Sequence, residues 1–151
     1  MAEPVSQPNP STLRILCVED YEPAARLLRD ALHRNGGILV DVVPTIAQAL
    51  DRLAATRPAR AGRAENAMRL APYHAVLTDL HLPDGNGLDL LVHLRRRGLA
   101  LPLLVLSGSN EADTEAQALR AGACAFIAKR GNYLDHLPAV LQAAAAAHCQ
   151  K

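Results

Sequence analysis

The sequence predicts a three-layer α/β fold, a five-stranded parallel sheet enclosed between two layers of helices, and three observations carry that expectation. Short apolar runs alternate five times with stretches of helical periodicity. The runs are apolar at almost every position, as strands buried on both faces are. A length of 151 residues gives room for one ordinary domain with a real core.

In chain order, residues 13–18 (LRILCV) read as the first strand. Residues 23–35 (PAARLLRDALHRN) read as a helix, with apolar positions 24, 27, 28, 31 and 32, stopped by Gly36-Gly37. A second strand at 38–43 (ILVDVV) leads to a helix at 45–56 capped by Thr45. The third strand, 74–78 (HAVLT), precedes a helix from Gly87 to Arg97. There Arg95, Arg96 and Arg97 crowd the C-terminus, where cations offset the helix dipole, so they read as a solvated helix end. The fourth unit is strand 101–106 (LPLLVL) and helix 111–121; the fifth is strand 124–128 (CAFIA) and a closing helix over 133–148. Parallel strands of this kind are joined by right-handed crossovers. Residues 57–72 (RPARAGRAENAMRLAP) are longer than the usual connection of about 2–6 residues and read as a surface insertion. Residues 1–11 read as a flexible tail ahead of a domain at 12–149.

Composition removes several function classes. With 50% hydrophobic and 21% charged residues the chain is neither disordered nor a fibrous repeat, and with 3% aromatics its core must be aliphatic. A formal charge of +1 advertises no nucleic acid and no anionic membrane. Cys17, Cys124 and Cys149 lack CxxC spacing and are odd in number, which fits a reduced, cytoplasmic protein better than a zinc site or a disulfide framework. No apolar run approaches the roughly 20 residues of a membrane span. Of the sixteen Lys and Arg residues, all are arginine except Lys129 and the terminal Lys151.

In open α/β sheets ligands gather beyond the carboxyl ends of the strands, so those positions are the place to look for chemistry. Strand one ends in Glu19-Asp20, strand three in Asp79, strand four in Ser107 and strand five in Lys129; strand two ends in Val43-Pro44 and offers nothing, as an edge strand would. Taken singly, each residue has a commoner job: a turn or helix cap for the acids and Ser107, a snorkelling surface cation for Lys129. The set as a whole argues otherwise. Clustered carboxylates repel unless a cation joins them, and hard oxygen ligands suit Mg²⁺, with Mn²⁺ as the alternative ion. Asp79 is then the natural nucleophile toward a phosphoryl group, with Glu19-Asp20 as metal ligands and Ser107 and Lys129 stabilising the charged oxygens.

The segments ILCVED (15–20), LTDLHLPDGNGLDLL (77–91), LLVLSGS (103–109) and AGACAFIAK (121–129) resemble the receiver domains of two-component response regulators, the CheY-like family. The resemblance implies a flavodoxin-like sheet in the order 2-1-3-4-5. It implies that Asp79 is the phosphoacceptor, that Asp20 binds Mg²⁺ directly with Glu19 acting mainly through water, and that the His81 carbonyl completes the ligands. It further implies that Ser107 and Phe126 form the switch, that Lys129 is the ion-pair partner, and that His81 and Ser109 flank the phosphoryl group and tune its lifetime. The partner would be a histidine kinase or a histidine phosphotransfer protein. Such a protein is not a conventional enzyme, catalysing only its own phosphorylation and slow autodephosphorylation.

This chain departs from the family where Arg130-Gly131 follows Lys129 in place of a cis proline; a cis bond without proline costs about 2.5–4 kcal/mol. Phe126 also lacks a tyrosine's hydroxyl. Because only the last helix follows Lys129, output is expected through a surface of the fourth helix, fifth strand and fifth helix that engages another protein or a second copy. The rival expectations are a phosphorelay intermediate or phosphate sink without conformational output, and a receiver excised from a hybrid kinase. A dehalogenase-type phosphatase would need DxD, where Leu80-His81 stand, and Glu19-Asp20-Tyr21-Glu22 would repel a flavin phosphate.

Overall fold

The computed structural model describes residues 12–55, 73–108 and 112–149. The expected tail at 1–11, the whole of the insertion at 57–72, and Ser109 lie outside these residues. The elements are β1 (Arg14–Val18), α1 (Glu22–Gly36), β2 (Leu39–Val43), α2 (Ile46–Ala55), β3 (Ala75–Asp79), α3 (Gly87–Arg96), β4 (Leu103–Ser107), α4 (Ala112–Ala121), β5 (Ala125–Ala128) and α5 (Tyr133–Cys149). The sheet runs β2-β1-β3-β4-β5 with every neighbour parallel, so the sequence's order and class hold. One feature escaped the periodicity: a two-pair antiparallel ribbon, His81–Leu82 against Gly85–Asn86, between β3 and α3. Two residues per strand are too few to register as alternation.

Strand pleating sorts the apolar runs onto two faces. Leu16, Val18, Val76, Leu103 and Val105 face α2 and α3, meeting Ile46, Ala49, Leu53, Leu90, Leu91 and Leu94. Ile15, Cys17, Leu77, Leu104 and Leu106 face the other way, against Leu28 and Leu32 of α1 and Leu137 and Leu141 of α5. The core is aliphatic, with Tyr73 as its buried aromatic among the described residues. Uniform burial holds for the inner strands but not the edges: Leu39 of β2 is exposed and all of β5 is half-buried.

Helix ends follow local chemistry. Gly37 closes α1 in the left-handed conformation (φ 63°), its N–H donating to the His33 carbonyl. Arg95 Nη1 donates to the Leu99 carbonyl at 3.1 Å, and Arg96 and Arg97 are exposed, as the helix-end reading requires. On α2, Thr45 Oγ1 accepts the Gln48 N–H (3.1 Å), and the next two free donors are satisfied from elsewhere: Asp84 accepts the N–H groups of Ile46 (2.9 Å) and Ala47 (3.0 Å). The edge strand is fastened by Asp41, whose Oδ2 takes bonds from Tyr73 (2.6 Å) and Arg14 (2.9 Å), with Arg52 of α2 at 3.6 Å. Burial alone would raise the Asp41 pKa; the Tyr73 bond and the Arg14 charge outweigh it and hold it below the ordinary value.

Candidate functional site

The parallel sheet brings the carboxyl ends of β1, β3, β4 and β5 to one edge, where Glu19, Asp20, Asp79 and Lys129 meet. Glu19 continues the β1–β2 ladder, its N–H donating to the Val43 carbonyl (2.9 Å), which holds its side chain buried on the α1/α5 side of the sheet. Asp20 follows and is exposed; Asp79 is the last residue of β3 and is half-buried. Oxygens of Glu19, Asp20 and Asp79 all lie within 4.8 Å of one another. Lys129 leaves β5 with its N–H bonded to the Ser107 carbonyl (2.8 Å), and its ammonium reaches across to Glu19 Oε1 (2.8 Å) and Asp79 Oδ1 (3.1 Å).

Each acid is also held by backbone. Glu19 Oε2 accepts the Tyr21 N–H (3.2 Å), and Asp79 Oδ1 accepts the Leu80 N–H (3.1 Å). Burial pulls the Lys129 ammonium toward a lower pKa, but the Glu19 hydrogen bond and the charges of Asp79 and Glu19 together leave it raised. Beneath the acids, burial and the Glu19 charge push the Cys17 thiol up to about 12, which makes it an inert core residue. Three carboxylates against one ammonium leave two formal negative charges among oxygen donors, the charge and donor type that a hard divalent cation requires.

Ser107 ends β4, buried, on the strand beside Asp79. Phe126 pairs in register with Val105 and packs, half-buried, on the α2/α3 face. His81 is exposed in the ribbon, paired with Asn86. Gly87 is required by contact: a Cβ there would collide with the Asp79 carbonyl and approach Thr78 Cγ2 to 3.0 Å. No cis peptide occurs among the described residues, so the Lys129–Arg130 bond is trans. Two supports went unread in the sequence. The Asn86/Asp89 capping box of α3 has a visible N-x-x-D spacing. The Asp84 bridge to α2 leaves no local signal, since its partners lie 38 and 37 residues away.

A sequence profile described as the response regulator receiver domain matches residues 15–141. The chain belongs to this receiver family. The response regulator protein PilR of Pseudomonas aeruginosa is 34% identical over 104 residues, covering 65% of this chain and 23% of PilR. The acid tolerance regulatory protein ActR of Rhizobium meliloti is 31% identical over 128 residues, covering 85% of this chain and 58% of ActR. The chain thus spans about a quarter of PilR and somewhat under two thirds of ActR. Among solved structures, a sensor protein from Polaromonas sp. JS666 superposes with a TM-score of 0.71 at 29% identity, over 90% of this chain and 98% of that one. The non-phosphorylated HemR receiver domain of Leptospira biflexa gives 0.65 at 28%, over 86% and 94%. Receiver domains of this family bind Mg²⁺ at an acidic pocket, and Glu19, Asp20 and Asp79 form the candidate cluster here. Among the described residues, no helix is long and apolar enough to cross a membrane.

Proposed function

We propose that this receiver, spanning 12–149, accepts a phosphoryl group on Asp79 from the phosphohistidine of a histidine kinase or phosphotransfer protein in the cytoplasm. The observation that carries the reading is the Asp79 carboxylate at the end of the central strand, grouped with Glu19 and Asp20 and 3.1 Å from the Lys129 ammonium. An Asp79 oxygen attacks phosphorus, the new P–O bond forms as the P–N bond breaks, and the departing imidazole takes up a proton. Asp20, Glu19, Asp79 and the His81 carbonyl would hold Mg²⁺, which supplies counter-charge for the phosphoryl oxygens. Lys129 stabilises the transferred group, and Ser107 turns toward it while Phe126 repacks.

Mass spectrometry of the intact protein after incubation with Mg²⁺ and a small phosphodonor tests the reading. Wild type should gain one phosphoryl group and Asp79→Asn none; an unchanged wild-type mass would overturn it. In this reading His81 tunes the lifetime of the phosphoryl group by positioning or obstructing the attacking water. A phosphoryl lifetime in His81→Ala equal to that of wild type would remove His81 from that role.

A further inference from the structure

Resting on the metal reading above, we infer that Asp84 is a positioning residue for the His81 carbonyl, acting by clamping the tip of the ribbon onto α2. His81 lies between two fixed points. On one side Leu80 is buried, its N–H bonded to the Leu106 carbonyl (3.0 Å) and its own carbonyl accepting the Gly87 N–H (2.7 Å). On the other side Asp84 spends both carboxylate oxygens on α2, Oδ1 on the Ile46 N–H and Oδ2 on the Ala47 N–H. Gly85 packs so closely beside Ile46 that an added Cβ would lie 3.0 Å from Ile46 Cδ1. Between the anchors run the pairs His81 with Asn86, itself tied to α3 by the Asn86/Asp89 capping box, and Leu82 with Gly85, too few for a ribbon to hold its own shape in water without the anchor at its tip.

The bridge ties a segment that presents a metal ligand to a helix that contributes none. As a cap for α2, Asp84 has a local companion in Thr45, which accepts the Gln48 N–H. The Thr45 side-chain bond stays within the helix, whereas the Asp84 bonds join the helix to the ribbon, so the two caps separate helix stability from carbonyl placement. Groups that orient metal ligands without touching the metal typically change affinity by about 10–100-fold when removed.

Isothermal titration of Mg²⁺ into the unphosphorylated full chain tests the inference on wild type, Asp84→Ala, Asp84→Asn and Thr45→Ala, with Asp20→Asn as the reference for the metal site. The expected result is Mg²⁺ binding about tenfold weaker in Asp84→Ala. Asp84→Asn, which retains one acceptor, should be intermediate, and Thr45→Ala should bind like wild type despite a lower melting temperature. Unchanged affinity in Asp84→Ala would overturn the inference, as would equal weakening in Thr45→Ala, which would reduce Asp84 to a helix cap. Unchanged affinity in Asp20→Asn would instead bring down the metal reading on which the inference rests. Circular dichroism on each variant establishes that it is folded before titration.

Discussion

Lys129 bonds the buried Glu19 and the half-buried Asp79 simultaneously. A compact ammonium on a flexible stem serves two acceptors at an angle, where the planar fork of an arginine would demand a different geometry. Removing it leaves carboxylates facing one another without their cation. Lys129→Ala should therefore lower stability by about 2–4 kcal/mol in Mg²⁺-free buffer. Millimolar Mg²⁺ should restore part of that loss by taking over the missing charge, and urea unfolding with and without Mg²⁺ measures both. An exposed, weakly coupled lysine would show neither effect. Lys129 was legible in the sequence because it ends the fifth strand as an ammonium in a chain that, apart from the terminal Lys151, chooses arginine. Asp84 was not, because a carboxylate in a turn is unremarkable until its acceptors find donors on another element.

Among the elements, the segment from β3 to α3 has the tightest requirements. Thr78 Oγ1 donates to the Asp79 carbonyl (2.9 Å), and α3 begins against that same carbonyl through Gly87. Gly87→Ala must displace either the helix start or the backbone of Asp79. Overpacking of this kind costs about 1–3 kcal/mol, and urea unfolding should find a loss in that range. On the proposed reading, phosphorylation of Asp79 should slow as well, because the obstructing atom belongs to that residue; a fully stable variant with a normal rate would show that the contact relaxes freely. Strand and helix positions were readable because ten elements in strict alternation each carry their own period. The ribbon was not readable, because its two pairs exist only once Leu80 is pinned to β4 and Asp84 to α2.

For the molecule as a whole, the expected output surface is formed by α4, β5 and α5. Phe126 is half-buried in β5, and Leu119 on α4 is among the exposed large apolar residues. Phosphorylation should bias this surface between two arrangements. A complete shift from 1:99 to 99:1 requires about 5.5 kcal/mol of preference, so a partial shift is expected. Sedimentation or pull-down measurements with and without stable phosphorylation should show a change in association with itself or a partner. Indifference to phosphorylation would favour the relay or phosphate-sink reading, in which transfer itself is the output and return transfer to a histidine domain is rapid.

The sequence by itself determined the class, the strand order implied by the family's motifs, and the identity of the residues that gather at the carboxyl edge. It could do so because periodicity is local and because strand-ending positions in a parallel sheet converge whatever the loops do. Only the tertiary structure decided that Lys129 spans Glu19 and Asp79, that Asp41 ties the edge strand to α2 and Tyr73, and that Asp84 caps a helix nearly forty positions upstream. Those contacts join charges and donors that are distant in the chain, and their partners are chosen by the register of neighbouring strands and the packing of helices, which no single segment encodes.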